Sequence, residues 1–76
     1  MEREKRKKGR ALIARNMKRL RKERGWSQEE LSAQSGIHRT YVSTMERKQR
    51  NPSVDVIERL AESFGVPMAD LFRETR

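Results

Sequence analysis

From Ala11 onward, apolar side chains recur at the spacing of one helix face, with Leu12, Ile13, Met17 and Leu20 on one side and Arg15, Lys18, Arg19 and Lys22 on the others. This pattern predicts a first amphipathic helix that closes near Gly25. Ser27-Gln28-Glu29-Glu30 has the form of a capping box, in which Ser27 accepts from the Glu30 backbone N–H and Glu30 reaches back. A short second helix is expected there, with Leu31 inward. Gly36 interrupts after two turns, and Ile37, Tyr41, Val42 and Met45 start a new period, so a third helix follows a tight turn. Asn51-Pro52-Ser53 reads as a loop and cap before Val54, Ile57, Leu60, Ala61 and Phe64, the inward face of a fourth helix that ends at Gly65. Pro67 opens a final short helix containing Met68, Leu71 and Phe72. No alternating apolar and polar stretch or hairpin turn is present. The expected fold is all-α, a compact five-helix domain over residues 10–73, after a basic tail at 1–9 and before a polar end at 74–76.

Composition narrows the function classes. The 76 residues are 33% hydrophobic and 39% charged, with a net charge of +8, which allows one small domain. Leu, Ile, Val and Phe number fourteen, below the roughly 20% that signals disorder when net charge is high. None of them lies in residues 1–10, so the expectation of a fold rests on their periodicity. Without cysteine there is no disulfide framework, and His38 alone cannot build a closed Cys/His zinc site. The longest apolar run is residues 11–14, far short of the roughly 18 residues of a membrane span. No secretory pattern opens the chain, so a cytoplasmic protein with no membrane partner is expected. So short a chain leaves no room for a ligand pocket of about 300 Å3, and neither a cofactor nor a small-molecule ligand is expected. An enzyme is the weakest class, because there is no phosphate-cradling Gly-rich loop, no cysteine nucleophile, and no Ser and Asp suitably spaced from His38.

Charge is unevenly spread. Residues 1–25 carry twelve Lys or Arg against three Glu, a local +9, whereas residues 26–50 sum to +1 and residues 51–76 to −2. A basic end is drawn to phosphate polymers or anionic lipid, and nucleic acid is the favoured partner. The run at residues 3–10 reads either as a solvated tail or as a phosphate-gripping arm.

Two helices joined by a tight Gly-containing turn form the device that presents the second helix to the DNA major groove. The segment LRKERGWSQEELSAQSGIHRTYVSTMERKQRNPSVDVIERLAESFGVPMADLF resembles the phage-repressor-type helix-turn-helix domains, also called xenobiotic-response-element-like regulators, and the likeness covers residues 12–72. Gln28, Leu31, Gly36, Val42, Ser43, Glu46 and Asn51-Pro52-Ser53 carry it together. HRTYVSTMERKQRN also resembles the small controller proteins of restriction-modification systems, which act as homodimers. Ser32 departs from the usual Ala and Lys48 from the usual Gly. A left-handed Lys48 would cost on the order of 1 kcal/mol.

The resemblance implies a recognition helix near residues 38–47, with Arg39, Thr40 and Thr44 toward base edges. Arg39 suits guanine O6 and N7, and Thr40 a thymine methyl. Gln28, Tyr41, Ser43, Arg47, Lys48, Arg50 and Asn51 are the phosphate candidates, Gln28 at a helix N-terminus that already favours an anion. Tyr41 could equally cap the core. Lys18, Arg19 and Lys22 are assigned only long-range attraction, His38 a cap or packing role, and Trp26 core packing. Glu46, odd in a basic unit, is expected to pair with Arg21. Met68, Leu71 and Phe72 form the expected dimer contact, unless they close the monomer core. The implied protein is a sequence-specific transcriptional regulator on double-stranded DNA, a homodimer with recognition helices about 34 Å apart on a pseudo-palindromic operator. Alternatives are an antitoxin with a toxin partner and a nonspecific nucleic-acid binder.

Overall fold

The computed structural model describes residues 8–74, so the basic run at residues 1–7 and its possible grip on phosphate lie outside the described residues. Four α-helices, α1 (Lys8–Glu23), α2 (Gln28–Ser35), α3 (Arg39–Glu46) and α4 (Val54–Phe64), are followed by a 3-10 turn at Met68–Phe72. No strand occurs among the described residues. The fifth helix expected from the sequence is thus 3-10 wound. Pro67 precedes it without a side-chain cap bond, and five residues suit the tighter winding better than an α-helix. α1 begins at Lys8 instead of Ala11, because Lys8, Gly9 and Arg10 extend it without adding to the apolar signal.

Local chemistry sets the helix ends. Ser27 Oγ accepts from Glu30 N at 2.9 Å, but the reciprocal half of the expected capping box is replaced, since the Glu30 carboxylate accepts from Gln34 Nε2 at 2.7 Å. His38 Nδ1 caps α3 by accepting from Thr40 N at 3.1 Å, and Ser53 Oγ caps α4 by accepting from Val56 N at 3.2 Å. The departure at Ser32 has a use: its hydroxyl donates to the Ile37 carbonyl and ties α2 to the turn that leads into α3.

Three helices close in one way. After α1, Gly25 N bonds Lys22 O and Trp26 N bonds Arg21 O, while after α4, Gly65 N bonds Glu62 O and Val66 N bonds Ala61 O. This paired closure needs a left-handed residue, and Gly25 and Gly65 have φ of 70° and 71°. After α3 the same pair of bonds runs from Lys48 N to Met45 O and from Gln49 N to Thr44 O, with Lys48 at φ 64°. A side chain therefore stands where the geometry favours glycine.

The core gathers Met17 and Leu20 from α1, Leu31 from α2, Val42 and Met45 from α3, Ile57, Leu60 and Phe64 from α4, and Leu71 from the terminal turn. Leu71 is fully buried within its own chain, so it closes the monomer core and leaves the expected dimer set. Trp26 packs as expected, stacked on Phe64 at 5.9 Å between centroids. Arg24 lies over the Phe64 ring at 5.1 Å and donates to the Leu20 and Phe64 carbonyls, which joins the ends of α1 and α4.

Two buried polar groups join elements distant in sequence. Asn16 is completely buried, and its Nδ2 donates to the carbonyls of Leu71 and Arg73, both at 2.9 Å. Glu46 receives Arg21 Nε at 2.7 Å, Arg21 Nη2 at 2.9 Å and Gln28 Nε2 at 3.0 Å. Arg21 Nη1 donates in turn to the Trp26 carbonyl at 2.9 Å. The side chains of Arg21 and Glu46 are only 12% and 4% exposed, so removing one partner leaves a buried charge unpaired.

That loss typically costs roughly 3 to 5 kcal/mol. Glu46→Ala is therefore expected to lower the melting temperature by at least about 12 °C for a domain of this size; a melt equal to wild type would refute the clamp. Lys48→Gly keeps the α3 closure and relieves its strain, which is expected to raise stability by about 1 kcal/mol in a denaturant titration. A lower unfolding midpoint for that variant would show that Lys48 is not strained.

Candidate nucleic-acid interface

α2 and α3 are eight residues each and meet across the Gly36 turn. The inward residues Leu31, Ile37, Val42 and Met45 seat both helices on the core, and the outer side of α3 is left to solvent. Arg39 and Thr40 stand exposed in its first turn, with Ser43 half-buried one turn on. Gln28 opens α2 next to them, and Gln28, Arg39, Thr40 and Ser43 line one cleft of about 190 Å3. Unpaired N–H groups at the start of α2 add a positive dipole end to this cleft.

Two of these side chains are held by carboxylates. One Gln28 amide N–H is tied to Glu46, which leaves its second N–H and its oxygen for an outside group. Arg39 Nη1 bonds Glu29 Oε2 at 3.2 Å, with the two side chains 62% and 74% exposed. So exposed a pair is worth about 0 to 1 kcal/mol, so Arg39 can leave Glu29 for a better acceptor at little cost. Glu29 escaped the sequence reading because its partner lies ten residues away, across the turn.

The remaining expected contact residues divide. Tyr41 is half-buried against the core; its hydroxyl oxygen accepts from Ser53 N at 3.4 Å, and the Arg50 guanidinium lies over its ring at 4.2 Å. Arg47 is placed by two neighbours, donating to Ser43 Oγ and, at 3.1 Å, to Gln49 Oε1. Thr44 is half-buried, and its hydroxyl donates back to the Thr40 and Tyr41 carbonyls at 3.1 and 2.9 Å, within its own helix.

Lys48 and Asn51 lie outside the Gln28 cleft. Lys48 lines a groove of about 460 Å3 along α1, and Asn51 a groove of about 350 Å3 with Pro52, Ile57 and Phe72. Both exceed the volume the sequence reading allowed, since chain length limits an enclosed pocket but not an open surface groove. Arg21 and Glu46, far from meeting solvent, act beneath the surface by holding α3 to α1. Met68 is half-buried against the core and Phe72 is 41% exposed. His38 serves as a helix cap. No group of three His, Cys, Asp or Glu that could hold a metal occurs among the described residues, and none of the described helices is long and apolar enough to cross a membrane.

Known proteins share this arrangement. The chain is 51% identical over 57 residues to the Neisseria hypothetical transcription factor of Neisseria meningitidis serogroup B (strain ATCC BAA-335 / MC58), which covers 75% of this chain and 54% of that protein. The chain thus spans about half the length of that relative. The structure of the restriction-modification controller protein C.AhdI from Aeromonas hydrophila is similar with a TM-score of 0.79 and 36% identity, over 83% of this chain and 96% of that one. The restriction-modification controller protein C.Esp1396I, solved as a tetramer in complex with its natural 35 base-pair operator, gives a TM-score of 0.76 and 30% identity over 84% of each chain. Residues 17–71 match the family described as Helix-turn-helix, and on that match the chain belongs to the helix-turn-helix family.

Proposed function

We propose that the chain is a sequence-specific DNA-binding transcriptional regulator that inserts α3 in the major groove and works as a homodimer. The observation that carries this reading is the cleft that gathers Gln28, Arg39, Thr40 and Ser43 at the meeting of α2 and α3. A guanidinium and a threonine at the start of an exposed helix offer base-edge contacts. Phosphate-contacting groups surround them, namely Gln28 at a helix N-terminus and Ser43 with Arg47 beside it.

In this reading Arg39 exchanges Glu29 for guanine O6 and N7, and Thr40 meets a thymine methyl. Thr44, whose O–H is bonded within its own helix, offers its methyl and its hydroxyl oxygen as acceptor. Gln28, Tyr41, Ser43, Arg47, Arg50 and Asn51 hold the sugar-phosphate backbone and set the register, and Tyr41 is positioned by Ser53 and Arg50. Phe72, exposed on the terminal turn, supplies with the half-buried Met68 the apolar contact between two copies. The operator complex of the C.Esp1396I tetramer supports an oligomer on DNA. A two-fold axis then repeats the recognition helix one turn along the duplex and requires an operator of matching symmetry.

Selection from random double-stranded DNA is expected to enrich a two-fold-symmetric site. Arg39→Ala should weaken that site by about 1 to 3 kcal/mol while changing binding to scrambled duplex much less. Equal affinity of the wild type for selected and scrambled duplex would refute sequence readout. Phe72→Ser is expected to shift sedimentation from dimer to monomer while keeping a cooperative melt; an unchanged sedimentation coefficient would remove Phe72 from the contact.

A further inference from the structure

Along α1, Arg15 lies three and four residues before Lys18 and Arg19, and Lys22 four and three residues after them, which places the four on one broad stripe of that helix. Ala11 and Ala14 precede them on the same side and floor the groove with methyl groups. Lys48, from the loop after α3, also lines it. Arg19 is engaged, bonding Glu23 at 3.3 Å and Asn16 at 3.3 Å. Arg15, Lys18, Lys22 and Lys48 have no carboxylate at ion-pair distance among the described residues, whereas Lys8, Arg21 and Arg39 each have one. Like charges spaced in this way repel and weaken a helix. A polyanion in the groove relieves that repulsion.

Lys48 carries the second clue. Its backbone holds the left-handed conformation that Gly25 and Gly65 hold at the ends of α1 and α4, so the fold itself favours glycine there. The strained lysine lines this groove and not the Gln28 cleft. Two residues further along the same loop, Arg50 lies over the Tyr41 ring at 4.2 Å, among the candidate backbone contacts near α3. From Arg15 to Lys22 the stripe rises about 10 Å, the axial rise of about three phosphates on one DNA strand.

We infer that this stripe and Lys48 form a second phosphate site, which grips the backbone of duplex flanking the segment read by α3. The inference rests on the DNA-binding reading; it replaces long-range attraction with direct contact for Lys18 and Lys22 and adds Arg15 to them. The occupant is duplex backbone, because Lys48, which lines the groove, belongs to the loop that leaves α3, and the groove offers cations spaced along a line.

The test compares a duplex that holds only the selected site with one extended by about ten base pairs, one helical turn, on each side. For the wild type, the logarithmic salt slope should steepen on the longer duplex by about 0.9 for each side chain that meets a phosphate. The variant Arg15→Gln/Lys18→Gln/Lys22→Gln should lose most of that increment, up to about 2.7 per protomer, and bind the short duplex as the wild type does. Lys48→Gly should lose about 0.9 of it while unfolding at higher denaturant, a combination that a merely structural lysine would not give. A triple variant that keeps the wild-type difference between the two lengths, or a wild type with no such difference, would overturn the inference. A wild type that binds selected and scrambled short duplex alike would instead remove the reading beneath it.

Discussion

The fold depends on one buried carboxylate. Glu46 ends α3, where the helix dipole is negative and a further negative charge is unfavourable. It is tolerated because Arg21 meets it with two N–H groups and Gln28 with a third, so desolvation of the carboxylate is offset by a fork of charge-assisted bonds. Since those donors come from α1 and from the first residue of α2, one ion fixes three helices at once. The exposed side of α3 and the N-terminus of α2 then hold a common frame, and Arg39, Thr40, Ser43 and Gln28 inherit their positions from a contact that none of them makes outward.

Much of this could be read from the sequence where the cause is local. Ser27, His38 and Ser53 sit where a cap is required, Gly36 and Gly65 where a left-handed residue is required, and the inward positions of α4 fall at steps of three and four. Each depends on neighbours within a turn or two. The pairing of Arg21 with Glu46 spans 25 residues and was legible only through resemblance to a family.

What escaped is what depends on distant partners or on small differences in winding. Nothing near Asn16 in sequence announces that its amide meets carbonyls 55 and 57 residues away. Leu71 has the same apolar character as Phe72, yet one fills the core and the other faces solvent, because the 3-10 turn separates their directions. The bonds of the Thr44 hydroxyl to carbonyls of its own helix were not foreseen either. Glu29 and the cations along α1 are ordinary surface residues until the turn and the loop after α3 bring Arg39 and Lys48 beside them.

The tie between Asn16 and the last turn also bears on synthesis. The N–H groups of the buried amide in α1 donate to carbonyls of Leu71 and Arg73, and Leu71 plugs the core that α1 helps to build. During translation α1 emerges first and waits for its last partners, so the apolar floor beneath it stays open until residue 73 has cleared the ribosome. Folding of this domain is therefore complete only once residue 73 is available, and among its helices α1 offers chaperones that shield apolar faces their longest window.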